Sequence, residues 1–199
     1  MLIKKSGSQS LQNDLNKIIA WSKTWQMNFN ADKCKIIHFG SRNEGHNYFI
    51  EGSILQAASE KKDLGVTVDN TLKFSKQCAE AVKKGNKMLG YIARNFEYKS
   101  KNVLLPLYKS LVRPHLEYAV QLWSPFLKKD ITKIERIQKR ATKLIPELRG
   151  KTYAQRLKNL DIHSLETRRL RGRLIEVFKI LIKLIMSTTR NIFNTIIIT

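Results

Sequence analysis

The spacing of apolar positions changes character near residue 70. Ahead of it, Leu11, Leu15, Ile18, Ile19, Ser22 and Trp25 recur at helical intervals. This predicts a helix capped by Ser10, with Asp14 complementing the dipole in its opening turn and Asn28 and Asn30 marking its end. Cys34 to Phe39 is a short apolar run bounded by Asp32 and Gly40, and predicts a strand. Tyr48-Phe49-Ile50 and Ile54-Leu55 flank Glu51-Gly52-Ser53, the pattern of a hairpin with glycine at its turn. Leu64 to Val68 predicts another strand, ending at Asp69-Asn70.

Beyond residue 70 the period lengthens to that of helices. Phe74, Cys78, Ala81, Val82, Gly85, Leu89, Ile92 and Phe96 keep it for more than five turns, despite the cost of Gly85 and Gly90. After a break near Lys99, Val103, Leu104, Leu107, Tyr108, Leu111 and Val112 resume it. Pro114 must kink or restart that helix, because it lacks a backbone donor and crowds the preceding turn. Leu116, Ala119, Leu122 and Trp123 carry on beyond it to a stop at Ser124-Pro125. Asp130 opens a further helix, with Ile131, Ile134, Ile137, Ala141, Leu144 and Ile145 on one face and Lys133, Arg136, Lys139, Arg140 and Lys143 on the other.

Charge turns that last pattern into a candidate site. The 199 residues carry 37 Lys and Arg against 16 Asp and Glu, a formal net charge of +21. Such an excess favours a polyanionic partner, because each neutralised phosphate releases condensed counterions. Anionic lipid is the rival polyanion. From Lys128 to Lys179 there are 16 basic and 6 acidic residues, an excess of +10. A solvated face normally mixes signs, and this one hardly does, which suits contact with a phosphate backbone better than base reading. Arg168, Arg169, Arg171 and Arg173 form a second basic cluster, which also admits a nuclear-localisation reading.

Other chemistry is sparse. Cys34 and Cys78 make no disulfide framework and point to a reducing, intracellular compartment. Cys34 and His38 have half the spacing of a metal site, but no second pair follows, so core packing explains them better. The first ten residues lack the apolar segment of a signal peptide. The most apolar window, Leu174 to Met186, is broken by Glu176, Lys179 and Lys183, so no transmembrane segment is expected.

Several strings resemble non-LTR retrotransposon reverse transcriptases of the jockey type. They are Trp21-Ser22-Lys23-Thr24-Trp25-Gln26-Met27-Asn28-Phe29-Asn30 with Lys33-Cys34-Lys35 and His38-Phe39-Gly40, then Lys62-Asp63-Leu64-Gly65-Val66. Leu107-Tyr108-Lys109-Ser110-Leu111-Val112-Arg113-Pro114-His115-Leu116-Glu117-Tyr118 leads into Gln121-Leu122-Trp123-Ser124-Pro125. Ile137-Gln138-Lys139-Arg140-Ala141-Thr142-Lys143 and the run from Ser164 to Gly172 complete the series, in order, from about residue 11 to residue 180.

The resemblance implies an α+β fold. A small palm-like helix-and-strand remnant with a primer-grip-like hairpin would occupy 1–72. A mainly α-helical thumb-like and post-thumb region would occupy 73–180, with a divergent tail at 181–199. It aligns Asn30-Ala31-Asp32-Lys33 with a palm motif whose lysine stands near the incoming nucleotide, and Leu64-Gly65-Val66 with the hairpin that grips the primer end. It also implies RNA or an RNA–DNA hybrid as partner, and Mg2+ for the complete family enzyme. The family's Ala-Asp-Asp signature is not in this sequence, and helix opening, turn and strand explain Asp14, Asp32 and Asp63 better than metal binding does. The expectation is a chain that positions nucleic acid, with no catalytic set and no metal or cofactor of its own. Two alternatives stand beside it: a truncated gene model of an active reverse transcriptase, and a basic helical protein that docks on acidic partners or membranes. A divided palm would leave Trp21, Trp25, Phe29 and Ile37 more exposed than in a whole polymerase. The tail's Ile196-Ile197-Ile198 would be an aggregation risk if uncovered.

Overall fold

The computed structural model describes residues 5–197, with side chains over 7–183. The fold is α+β and mainly helical, as the patterning and the resemblance imply. The chain divides into two compact units, Met1–Phe74 and Ser75–Thr199.

In the first unit, helix α1 spans Lys5–Thr24. It begins before Ser10, which therefore lies inside the helix and caps nothing. Asp14 likewise sits past the first turn and pairs with Lys17 at 2.8 Å. Once nucleated, a helix extends through polar residues at little cost, so its start need not coincide with the apolar stripe. Leu15 and Ile19 pack with Phe29, Cys34 and Ile36 on the buried Tyr48, Ile50 and Leu55. Cys34 is thus a packing residue. Trp21 and Trp25 are 51% and 64% exposed, whereas Phe29 and Ile37 are partly buried.

The strands are short. β1 (Lys35–Ile36) is the part of the apolar run from Cys34 that enters a sheet, and it pairs in parallel with β4 (Gln56–Ala57). β2 (Phe49–Ile50) and β3 (Ser53–Ile54) form the expected hairpin. Its two-residue loop, Glu51-Gly52, has positive φ at both positions. That is the turn whose twist matches paired strands. β5 (Glu60–Asp63) and β6 (Val66–Asp69) repeat the arrangement around Leu64-Gly65. The predicted strand start at Leu64 is corrected accordingly: Leu64 (φ 44°) and Gly65 (φ 83°) are the turn.

The second unit is built on α2 (Ser75–Asn95) and α6 (Lys128–Lys143). They run side by side in the same direction. The Ser75 hydroxyl donates to Asp130 at 2.6 Å near their starts, and Arg140 Nη1 donates to Asn86 Oδ1 at 2.6 Å further along. Gly85 allows the close approach between them. A Cβ there would lie 3.6 Å from Ile137 and 2.8 Å from Leu116 Cδ2. The α6 helix opens two residues before Asp130, whose buried carboxylate serves Ser75.

Between these helices lie α3 (Lys101–Leu107), α4 (Arg113–Glu117) and α5 (Val120–Trp123). One widened turn, Tyr108–Val112, joins α3 to α4. It directly precedes Pro114, where a missing donor has to be absorbed. The expected continuation to Trp123 is interrupted instead at Ala119, whose φ is 50°. Past α6, Leu148 and Leu160 join Leu104 and Ile145 in a second core cluster. Helix α7 (Tyr153–Leu160) is opened by a reciprocal capping box between Thr152 and Gln155. Helix α8 spans Leu165–Ile197.

Candidate nucleic-acid interface

Helix α6 sorts its residues by chemistry. Ile134, Ile137, Ala141 and the following Ile145 are buried, and so are its two acids, Asp130 and Glu135. Lys128, Lys129, Lys133, Arg136, Lys139, Arg140 and Lys143 are all exposed. Every exposed charge on this helix is therefore positive. Lys129, Lys133, Arg136, Arg140 and Lys143 follow the i, i+4, i+7, i+11, i+14 spacing that keeps them on one stripe. The stripe is about 21 Å long at 1.5 Å per residue.

Local contacts orient parts of it. Arg140 is held by Asn86, and Lys133 Nζ lies 3.8 Å from Asp130. Lys139 stands off the stripe, with its Nζ 5.1 Å from the centre of the Tyr153 ring. Arg136 and Lys143 have no acidic partner among the described residues.

The buried acids hold this surface in place. Glu135 accepts the backbone N–H groups of Leu165 and Glu166, both at 3.3 Å, at the start of α8, and also the Tyr153 hydroxyl. A carboxylate at a helix N-terminus is favoured by the exposed amides and the dipole. Gln138 accepts the Tyr108 hydroxyl at 2.7 Å and donates to the Tyr153 oxygen and the His163 carbonyl. Burial, with Glu135 close by, raises both tyrosine pKa values, so these phenols stay neutral donors. One polar seam inside the unit thus joins α6, α7 and α8.

The arginine cluster departs from its expected exposure. Arg168 grips Glu117 with two hydrogen bonds, 2.6 and 3.1 Å, and Glu117 also faces Arg113 at 3.6 Å. The hydrogen bonds to Glu117 raise the Arg168 pKa. Arg169 is 3% exposed, and burial lowers its pKa against the opposing pull of Glu135. Its Nη1 and Nη2 have no hydrogen-bond partner among the described residues. Arg169 is therefore buried, whereas Arg168, 36% exposed at its side chain, links α4 to α8 through Glu117. Arg171 and Arg173 are exposed. Within the string from Ser164 to Gly172, Ser164 caps α8, Leu165 is fully buried, Arg169 is buried and Arg168 pairs with Glu117.

In the first unit, Lys33 is exposed at the end of a short turn, Ala31–Lys33, with its amide capped by the Asn30 side chain. Its carbonyl accepts Lys61 Nζ at 3.0 Å. Leu64 projects from its hairpin tip at 83% exposure, while Val66 is buried. Among the described residues no three His, Cys, Asp or Glu side chains converge as metal ligands. Asp14, Asp32 and Asp63 belong to no such group among the described residues. No helix among the described residues is long and apolar enough to cross a membrane. From Leu170 to Ile182, however, α8 exposes Leu170, Leu174, Val177, Phe178 and Leu181, each at half or more. The rest of the predicted tail, with its isoleucine run, lies outside the described side chains.

No protein-family model matches the chain, and no solved structure does. Curated relatives do. The RNA-directed DNA polymerase from mobile element jockey of Drosophila melanogaster is 22% identical over 160 residues, 78% of this chain and 17% of that protein. Its counterpart in Drosophila funebris is 26% identical over 162 residues, 77% of this chain and 17% of that protein. A probable RNA-directed DNA polymerase from transposon BS of Drosophila melanogaster is 25% identical over 169 residues, 80% of this chain and 18% of that protein. The chain spans about a sixth of the length of the curated relatives it matches. In its sequence, this chain is similar to a segment of the RNA-directed DNA polymerases of non-LTR retrotransposons.

Proposed function

We propose that the helical unit holds RNA or an RNA–DNA hybrid by its phosphate backbone, along the exposed stripe of α6. The observation that carries this reading is the inward turn of Asp130 and Glu135, which leaves α6 with only positive charge at its surface. Lysine and arginine in an ordered row on a packed helix match repeated phosphates without reading bases. The rigid support behind the row spares the ordering cost that a mobile basic tail would bear on binding. The role is to position a substrate. The acids of α6 are committed to structure, and the carboxylates of the first unit form no ligand cluster among the described residues.

A direct test compares the 199-residue chain with a K133Q/R136Q/R140Q/K143Q variant, using a fluorescent RNA–DNA hybrid as probe. The wild type should bind, and the variant should bind at least tenfold more weakly at the same salt. Equal affinities would refute the assignment. The same preparation should give no primer extension with magnesium or manganese, and template-dependent extension would overturn the non-catalytic reading. The exposed apolar side chains of α8 favour one competing reading, docking on an anionic membrane. Tight binding to phosphatidylserine vesicles with no affinity for the hybrid would establish it instead.

A further inference from the structure

A second basic row stands on α2, beside the first. The packed side of α2 is Gln77, Cys78, Ala81, Gly85, Leu89 and Ile92, all buried. On the opposite side Lys76, Lys83, Lys87 and Arg94 are exposed. Their spacing is i, i+7, i+11, i+18, which at 100° per residue confines them to an arc of about 40°. The row is about 27 Å long. Glu80 is the one acid on this helix, against five basic residues.

The two helices set the two rows on one surface. They lie side by side and run in the same direction, fixed at Ser75–Asp130, Gly85–Ile137 and Asn86–Arg140. Arg140 belongs to the α6 stripe, so the stripe borders α2. Asn86 marks the flank of α2 that faces α6, and Lys83 lies about 60° round from it towards solvent. Between the rows the α2 surface is low, with Ala79, Asn86, Gly90 and Ala93 along it. Over Gly90 lies the Arg94 guanidinium, whose Nη1 is 3.4 Å from where a Cβ would stand. The result is a shallow furrow with a positive wall on either side.

We infer that α2 supplies a second phosphate-contacting row, so that a nucleic-acid backbone lies along the α2–α6 furrow between Lys83, Lys87 and Arg94 on one wall and Lys133, Arg136 and Arg140 on the other. This inference rests on the α6 reading and extends it. Charge complementarity selects the occupant: two positive rows about four and five helical turns long meet repeated phosphates better than a single anionic group.

The test measures log K against log salt for the labelled hybrid with the 199-residue chain, a K83Q/K87Q/R94Q variant, and an R149Q/K151Q/K158Q control. All six positions are exposed, and the control removes the same charge from outside the furrow. The α2 variant should lower the salt slope by about 2.7, at about 0.9 per lost phosphate contact. The control should change the slope by less than about one contact's worth. K83Q alone should lower it by about 0.9, which guards against a folding defect in the triple variant. An α2 variant with the wild-type slope would overturn the second row, while a diminished slope in the α6 variant would leave the first intact. Equal slope losses in the α2 variant and the control would also overturn it, by showing that only net charge matters. Wild-type slopes in both the α6 and α2 variants would overturn both rows.

Discussion

Glu135 shows how a single side chain can carry both structure and surface. The residue is 9% exposed, and its carboxylate gathers two α8 amides and the Tyr153 hydroxyl. Truncation would leave those donors unmet in a buried site, where each bond to a charged group is worth about 1.5–3 kcal/mol. E135A should therefore lower the unfolding free energy by about 3 kcal/mol, read from urea denaturation, and E135Q by less because it keeps an acceptor. A loss below about 0.5 kcal/mol for E135A would show that the network does not support α8. Cys78 gives a second reading at this scale. It is fully buried, and burial together with Asp130 pushes its thiol up to about 11. Thiolate is the reactive form, so at pH 8 a thiol reagent should reach the half-buried Cys34 first and Cys78 only after denaturation. Two equally fast thiols in the native chain would contradict that placement.

Helix packing decides what the glycines do. Gly85 lies where α2 meets α4 and α6, and a methyl there would press on the fully buried Leu116. Overpacking costs about 1–3 kcal/mol, against about 1 kcal/mol of gained helix propensity. G85A should be net destabilising. Gly172 sits in α8 with nothing within 4 Å of a built Cβ, so G172A should raise stability by about 0.5–1 kcal/mol. Thermal melts of both variants check this, and the opposite signs would contradict the packing described. Elements of this kind were legible in the sequence where periodicity was long. The helix from Phe74 and the two-faced helix around Ile137 are readable because one buried side repeats over many turns. The hairpin at Glu51-Gly52 is readable from its turn residues. Leu64-Gly65 carries the same signal, but the polar strand Glu60–Asp63 before it hides the hairpin. The capping box at Thr152 and Gln155 is a local sequence signal for the start of α7. The break at Ala119 has no local signature, because alanine favours helix and only tertiary packing holds it at positive φ. For Arg168 and Arg169 the sequence shows charge, but neither the Glu117 partner of the first nor the burial of the second.

For the whole molecule, two compact units differ in how much core each has. The first rests on Tyr48, Ile50 and Leu55 and on sheets of two strands. The second buries Leu89, Ile92, Leu104, Leu116, Trp123, Ile134, Ile137 and Leu165 almost completely. Amide exchange tracks such differences, so amides of α2 and α6 should exchange far more slowly than those of the Phe49–Ile54 hairpin. Equal protection would contradict this difference in core between the two units. The charge of +21 also acts at this scale, steering the chain towards polyanions at long range. Long-range steering alone would spread the loss over any basic residue, whereas ordered contact confines it to the rows on α6 and α2. The most direct discriminator is the slope of log K against log salt for an RNA–DNA hybrid, measured for the wild-type chain and for K133Q/R136Q/R140Q/K143Q. Ordered phosphate contact on α6 predicts a slope smaller by about 3.6, from four contacts at about 0.9 each. Identical slopes for the two proteins would contradict it.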